Sequence, residues 1–276
     1  MTRRILLVIA ILTLPIGALA DDGVLYYYGA PRLMHGESRI RMVSEVVSAR
    51  VYRDHADVHC RFEFQNDGAA TMARIGFPDG NDHDFEDDEP PTAHLKNFRS
   101  TVDGKPDALK IEINASPKSG PFHVFHVKSV RFALGQKHVI EDWYRAPLSG
   151  GGTNSIVTSP HGGQENLYVS QFTYIMASGG SWHGNIGGAV LQVEFMEKNF
   201  QNLRLVNQKA IGNPINSTTL ARLTGNNVIW SGFVTPTASG NRLTFKRQNF
   251  KPTAKDDVSL TFDWLRFDDS IFGAVH

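Results

Sequence analysis

The sequence is poor in the residues that build cross-linked or metal-stapled folds. Its 276 residues include one cysteine, Cys60. A single cysteine excludes an internal disulfide and a four-cysteine metal site. The chain also lacks an excess of either charge, because 28 basic side chains balance 28 acidic ones. Without a basic excess it has no electrostatic footprint for nucleic acid, so we expect no nucleic acid partner.

Long apolar runs are missing after the first twenty residues. No later run approaches the roughly 20 apolar residues of a membrane-spanning helix, so we expect no transmembrane helix in the mature chain. The composition is 41% hydrophobic and 20% charged, which is typical of a globular protein rather than a disordered one. No segment of the length of a solenoid or propeller repeat recurs along the chain, which argues against those architectures.

The first twenty residues have the layout of a secretory signal. Arg3 and Arg4 supply a positive start, residues 5–14 are almost all apolar, and residues 18–20 read Ala-Leu-Ala. This is the order of charge, apolar run and small residues that a signal peptidase recognises. The apolar run is too short to cross a hydrocarbon core of about 30 Å. We therefore predict a cleaved signal peptide over residues 1–20 and export to the periplasm or the medium.

Apolar and polar residues alternate along the mature chain. The alternation covers residues 47–51, 58–64, 109–113, 191–195 and 258–264. Each segment would place one face on a core and the other in water, as antiparallel strands do. Turn sequences rich in glycine, asparagine and aspartate separate the runs, with no long helical period between them. The sequence predicts an all-β chain of two packed antiparallel β-sandwich-like lobes.

A stretch rich in glycine, serine and proline divides the mature chain. We predict an N-terminal lobe over residues 22–146, a Gly-rich connection over 147–164 and a C-terminal lobe over 165–276. A single intimate domain, with this stretch as an excursion from it, is the alternative. The one helix candidate is short and covers residues 218–223, with Ser217 as its N-cap.

Residues 79–89 hold the densest cluster of ligand-type oxygens, with seven acidic side chains. Ca²⁺ takes about six to eight oxygens, often from one loop. Five residues could converge on such an ion: Asp79, Asn81, Asp82, Asp84 and Glu86. The EF-hand spacing fails, because the sixth position counted from Asp79 is Asp84 and the sixth counted from Asp82 is Asp87, where that loop requires glycine. A solvated loop, held open by repulsion between like charges, is the competing interpretation.

The catalytic motifs that the sequence could carry are absent or incomplete. There is no Gly-x-Ser-x-Gly nucleophile elbow and no His-Glu-x-x-His zinc motif. Cys60 shares the apolar side of its strand with Val58 and Phe62, which predicts a small core residue rather than a nucleophile. Ser181 and His183 could face the same way from one strand, but no third group to orient the histidine is evident. We therefore assign no catalytic residue.

Four residues are candidates for a binding surface, because sugar-binding modules stack rings on exposed aromatic side chains. Tyr27 lies in a run of three tyrosines that cannot all face one core, and Trp143 lies next to another tyrosine. Trp182 and Gly184 belong to a glycine-rich block that forms a turn. Core packing is the alternative for both tryptophans, since large aromatics fill sandwich cores.

Three blocks of sequence, taken in order, resemble a known family. They are residues 29–33 with 42–47, the hairpin 51–64 and 76–78; residues 127–144; and residues 174–176 with 178–187. Their order resembles exported bacterial proteins that carry the domain of unknown function number 4424, over most of the mature chain. Residues from about 40 to about 80 are also loosely similar to the N-terminal sandwich of inter-alpha-trypsin-inhibitor heavy chains.

The resemblance implies a β-sandwich and export to the bacterial envelope, and it supplies no catalytic motif. The leading hypothesis is a non-catalytic binding or structural module whose partner is an envelope protein or a glycan. The alternatives are a Ca²⁺-dependent glycan binder, in which Ca²⁺ would be the cofactor, and an envelope hydrolase. No other cofactor is expected.

Overall fold

Strands dominate the computed structural model, which describes residues 26–35, 39–81, 91–113, 122–158, 164–211 and 227–262. In chain order the strands are β1 Tyr26–Tyr28, β2 Arg32–His35, β3 Ile40–Val51, β4 His55–Asn66, β5 Thr71–Asn81, β6 Lys96–Val102, β7 Lys105–Pro106, β8 Lys110–Ile113, β9 Val124–Phe132, β10 Lys137–Pro147, β11 Ser149–Thr158, β12 Gln164–Tyr174, β13 Ile186–Phe195, β14 Arg204–Asn207, β15 Asn227–Ser231, β16 Thr237–Ser239, β17 Arg242–Phe250 and β18 Val258–Phe262.

Helical structure in the described ranges is limited to single turns. One α-helical turn, α1, covers Gln208–Ile211, and 3₁₀ turns cover Ala177–Ser181, Lys198–Phe200 and Ala254–Asp256. Among the described residues no helix is long and apolar enough to span a bilayer. The predicted strands over residues 47–51, 58–64 and 191–195 lie inside β3, β4 and β13.

The strands form three sheets. The central sheet has eight strands in the order β16-β17-β13-β3-β4-β10-β6-β7. The N-terminal sheet runs β1-β5-β9-β8, with β2 also paired to β5, and the C-terminal sheet runs β11-β12-β18-β15-β14. Most pairs are antiparallel, while β3 with β13 and β14 with β15 are parallel. The all-β, sandwich-like fold that the sequence predicts is confirmed.

Period-two alternation gives the central sheet one inner and one outer face. In β4, from Ala56 to Phe64, the even-numbered residues are buried and the odd-numbered ones are partly exposed. The same alternation runs along β10. One cluster of buried apolar side chains then takes members from all three sheets. Cys60 is fully buried within it, as predicted.

The N-terminal and C-terminal sheets are joined next to β1 and β12. The Ile175 amide donates to the Tyr28 carbonyl at 2.9 Å, and the Ala30 amide donates to the Ile175 carbonyl at 2.9 Å. These bonds form a parallel bridge between Gly29 and Ile175. The two smaller sheets both pack on the inner face of the central sheet. Some strands of the central sheet precede residues 147–164 in the sequence, and others follow them.

Much of the Gly-rich stretch forms strands rather than an irregular connection. Strand β11 pairs antiparallel with β12. A Cβ on Gly150 would lie 2.5 Å from the Val169 carbonyl oxygen, so glycine permits this close pairing. The division into two lobes stays a prediction. The signal peptide over residues 1–20 and the helix expected over 218–223 lie outside the described residues.

Candidate functional site

The outer face of the central sheet carries a concavity of about 750 Å³ between β3, β4, β10 and β6. It forms because these four neighbouring strands direct their polar side chains away from the core. Among the described residues, ten line it: Ser48, Arg50, Asp57, Val58, His59, Asn97, Arg99, Trp143, Tyr144 and Arg145. Pockets of about 300–1,000 Å³ with a few convergent polar groups are typical of small-molecule sites.

A bulge in β6 shapes one wall of the concavity. Trp143 pairs with Arg99 but Arg145 pairs with Lys96, so β6 contains one residue more than β10 over this interval. Asn97 lies within the bulge and has a φ of 55°, in the left-handed region. Bulges of this kind bend an edge and redirect side chains next to functional sites. This one brings Asn97 and Arg99 to the same wall.

An aromatic and cationic stack forms the floor. His59 lies opposite Trp143 across β4 and β10, and their rings stack with centroids 4.7 Å apart and planes 3° apart. The Arg99 guanidinium carbon lies 4.8 Å from the centre of the Trp143 ring. Since β10 lies between β4 and β6, His59 and Arg99 cover opposite faces of the indole. The His59 Nε2 also lies 3.1 Å from a carboxylate oxygen of Glu141.

Positive charge predominates on the walls. Arg145 Nε donates to Asp57 Oδ1 at 2.9 Å and Arg145 Nη2 donates to Asp57 Oδ2 at 3.3 Å. This fork raises the pKa of the Arg145 guanidinium. Within the described part of the chain, neither Arg50 nor Arg99 forms an ion pair with a carboxylate. Counting His59 as neutral, the lining has a net charge of two positive.

Among the predicted binding residues whose side chains the structure describes, Trp143 lines the concavity. Trp182 lies elsewhere, in the core, where it is 2% exposed. Its indole Nε1 donates to the Pro31 carbonyl at 2.7 Å, and its ring packs 4.4 Å from that of Phe64. Gly184 is exposed, with a φ of 64°. The backbone of Tyr27, in β1, pairs with that of Gly80, in β5. The side chain of Tyr27 lies outside the described structure.

Of the five predicted calcium ligands, the structure describes Asp79 and Asn81. Asp79 is 1% exposed, and its carboxylate accepts the His94 and Leu95 amides at 3.0–3.1 Å and lies 3.0 Å from His126 Nε2. The backbone of Asn81 ends β5. Asp82, Asp84 and Glu86 lie outside the described residues. The described residues contain no group of three His, Cys, Asp or Glu side chains placed to hold a metal ion, and the calcium site stays a prediction.

The serine considered for hydrolysis has a structural role. Ser181 Oγ accepts the Leu33 amide at 2.9 Å and donates to the Ser178 carbonyl at 3.1 Å. These bonds hold the 3₁₀ turn Ala177–Ser181 against β2. His183 is exposed, and its amide donates to the Ile40 carbonyl at 2.9 Å.

A second polar cluster lies behind the concavity, on the inner face of the same strands. Lys128 Nζ donates to Asp142 Oδ1 at 2.6 Å and also to Ser100 Oγ, with all three residues buried. The hydroxyl of Tyr174 donates to Glu45 Oε1 at 2.7 Å. Burial raises the pKa of Glu45 to about 7, a shift that the Tyr174 bond partly opposes.

Sequence reasoning missed the arginines of the concavity and the buried polar pairs. Arg50 and Arg145 occupy the polar positions of alternating strands, so the period shows that they face outward. It does not show that β3, β4, β10 and β6 are neighbours, because their order depends on pairing between distant segments.

Comparison with known proteins supports the fold and identifies no family. No family model matches the chain, and no curated protein matches it. A solved Legionella pneumophila protein, named for a proposed role in nutrient binding, is similar with a TM-score of 0.60 and 16% identity, over 87% of this chain and 73% of that one. At that identity the likeness shows a shared fold.

A hydrolase structure and a metallopeptidase structure have lower TM-scores. Leukotriene A4 hydrolase from Saccharomyces cerevisiae has a TM-score of 0.41 and 9% identity, over 82% of this chain and 29% of that one. An M1 zinc metallopeptidase from Deinococcus radiodurans has a TM-score of 0.39 and 9% identity, over 82% of this chain and 43% of that one. This chain spans less than half the length of either.

Proposed function

We propose that the protein is an exported, non-catalytic binding module whose ligand occupies the concavity between β3, β4, β10 and β6. One observation carries the proposal. Unpaired guanidiniums, an indole and an amide converge on one open depression of ligand size. The residues that hold these groups are part of the sheet itself, so the site is rigid before a ligand arrives.

Two further considerations agree with a binding role. The Legionella protein of similar fold has a name that refers to nutrient binding. The lining of the concavity offers hydrogen-bond donors and charge. Ser48 and His59 lie opposite each other across β3 and β4, but in the described structure no hydrogen bond joins them, and His59 Nε2 lies 3.1 Å from a carboxylate oxygen of Glu141 instead. A serine without a hydrogen-bonded base favours recognition over reaction.

Export belongs to the proposal because of residues 1–20, whose charge and apolar pattern is that of a signal peptide. The full chain should lose these residues when it is expressed in a Gram-negative host. Intact mass and N-terminal sequencing of the envelope fraction measure the loss. Recovery of the uncleaved chain in the cytoplasm would contradict export. Membership of the family with domain of unknown function 4424 is likewise a proposal, on the sequence blocks described above.

The binding proposal is tested by filling the concavity. Ser48→Tyr places a ring in the lining, whereas Thr244→Tyr places the same ring on the outer face of β17, in the same row of the sheet but outside the lining. Both proteins and the wild type are screened by thermal shift against sugars, amino acids, nucleotides and organic acids. We expect at least one compound class to raise the melting temperature of the wild type and of Thr244→Tyr.

The same compounds should lose most of their effect on Ser48→Tyr. An equal shift in all three proteins would place the ligand elsewhere and refute the concavity as the site. If no class shifts the wild type, the small-ligand proposal is wrong. Circular dichroism of both tyrosine variants confirms that the sheet is intact.

A further inference from the structure

We infer that the ligand is a small dianion with an acidic group at each end, one held by Arg50 and the other by Arg99. This inference rests on the proposed function, because it names the ligand class of the same concavity. Three observations carry it: the charge of the lining, the positions of its two unpaired guanidiniums, and the covered faces of Trp143.

The charge of the lining matches a dianion. Arg145 is neutralised by its fork with Asp57. Arg50 and Arg99 remain, and in the described structure no carboxylate pairs with either. Guanidiniums bind carboxylate or phosphate through parallel N–H donors, which gives both strength and geometry. A ligand that neutralises both of them carries two negative charges.

The positions of the two arginines set the length of the ligand. Arg50 lies on β3 and Arg99 on β6, and β4 and β10 lie between those strands. Three interstrand spacings of about 4.8 Å separate the two backbones by about 14 Å. The Arg145–Asp57 fork lies on the intervening strands. The two arginines therefore approach the concavity from opposite sides, which favours a ligand with an acidic group at each end.

The state of Trp143 disfavours a neutral ring as the ligand. One face of the indole is covered by His59 at 4.7 Å and the other by the Arg99 guanidinium at 4.8 Å. A sugar ring could stack only after displacing one of them. The stack instead holds the Arg99 guanidinium over the indole, within the lining of the concavity. Charge recognition therefore requires no rearrangement of the floor.

The test uses linear dicarboxylates of increasing length, from succinate to suberate, titrated calorimetrically into the wild-type protein. The matched neutral compounds are the corresponding diamides, and inorganic phosphate is the compact dianion. We expect the diacids to bind at least about a hundredfold more tightly than the diamides, since each of the two charged, hydrogen-bonded ends contributes about one order of magnitude or more. Affinity should pass through a maximum with chain length and fall as salt is added.

Arg50→Gln and Arg99→Gln should each weaken the best diacid by about tenfold or more. Arg61→Gln is the control, because Arg61 lies on the outer face of β4 but outside the lining. It should leave the affinity unchanged. Melting temperatures of the three variants show whether each is folded, and both lining arginines are exposed positions where glutamine fits.

Several outcomes overturn the inference. They are equal binding of diamides and diacids, phosphate binding as tight as that of the best diacid, no effect of one of the two arginine variants, and no diacid binding at millimolar concentration. If neutral compounds bind and Ser48→Tyr abolishes their binding, the proposed function stands and the dianion inference alone is wrong. If Ser48→Tyr changes nothing, the proposed function is wrong as well.

Discussion

The carboxyl group of Glu45 is buried in the core of the sandwich. Glu45 is 1% exposed, and Oε1 accepts the Tyr174 hydroxyl while Oε2 has no partner. Burial disfavours the charged form and raises its pKa from 4.5 to about 7. The folded protein therefore binds a proton on Glu45 that the unfolded chain releases above about pH 4.5.

This pKa difference predicts a loss of stability as pH rises. The contribution of Glu45 is fully present below pH 4.5 and is lost by pH 7, a change of about 3 kcal/mol in the free energy of unfolding. Glu45→Gln keeps an acceptor for Tyr174 and should remove this pH dependence. Between pH 4.5 and pH 8 the variant should therefore lose about 3 kcal/mol less unfolding free energy than the wild type. Urea unfolding at the two pH values measures the difference.

Glu63→Gln is the matched control, because Glu63 is partly exposed and pairs with Lys137 at 3.1 Å. Its pH profile should follow that of the wild type. Asp257, whose pKa burial raises to about 6, contributes in the same direction in every variant, and the comparison between variants removes it. An unchanged pH profile in Glu45→Gln would show that Glu45 is ionised in the fold.

A single substitution tests whether Trp182 serves the core or a binding surface. Trp182→Phe removes the indole bond to the Pro31 carbonyl and part of the contact with Phe64. A lost buried hydrogen bond and lost apolar area should together cost about 2–4 kcal/mol of unfolding free energy. Chemical denaturation measures it. Ligand affinity at the concavity should not change, and a selective loss of binding with stability intact would return Trp182 to the binding surface.

At the scale of the element, the parallel pair of β3 and β13 depends on glycine at one position. A Cβ on Gly187 would collide with the Val43 carbonyl oxygen, whereas a Cβ on Gly188 would meet nothing within 4 Å. Val43 lies where a bulge interrupts the pairing of β3 with β4, between Met42 and Ser44. The close contact at Gly187 therefore lies one residue before the parallel pairing of β13 with β3 begins, at Gly188 and Ser44.

Gly187→Ala should destabilise the protein by about 2 kcal/mol or more, because the carbonyl must move for the methyl group to fit. Gly188→Ala, one residue further along the same strand, should be neutral or slightly stabilising, since alanine reduces the entropy of the unfolded chain. Thermal unfolding of the two variants makes the comparison. Equal melting temperatures would mean that β13 begins its pairing further along the strand.

At the scale of the whole molecule, one buried ion pair connects two sheets. Lys128 on β9 of the N-terminal sheet meets Asp142 on β10 of the central sheet at 2.6 Å, with side-chain exposures of 1% and 0%. Such a pair is costly to desolvate, and removing one partner leaves an uncompensated charge in the core. The pair therefore fixes how the two sheets face each other more than it adds to stability.

A double-mutant cycle tests this role. Lys128→Met alone should cost about 3–5 kcal/mol, because it leaves Asp142 charged and unpaired, and Lys128→Met combined with Asp142→Leu should recover most of that loss. Lys137→Met, which breaks the exposed pair with Glu63, should cost at most about 1 kcal/mol. Urea unfolding of the wild type, Lys128→Met, Asp142→Leu and the double variant gives the coupling energy. If the losses of the two single variants simply add in the double variant, the two groups act independently and this role is refuted.

Local patterns predicted the strands, their inner and outer faces and the buried state of Cys60, because period-two alternation and turn residues are local properties of the chain. The export segment stays a prediction. The sequence could not order eight strands drawn from residues 40–250 into one sheet, nor show that residues 149–158 pair as a strand, since both depend on contacts between distant segments. The strand order in three dimensions places Trp143 beside Arg99 and His59, and it places Trp182 in the core. The two tryptophans have similar local sequence signals, and their different roles arise from which strands become neighbours.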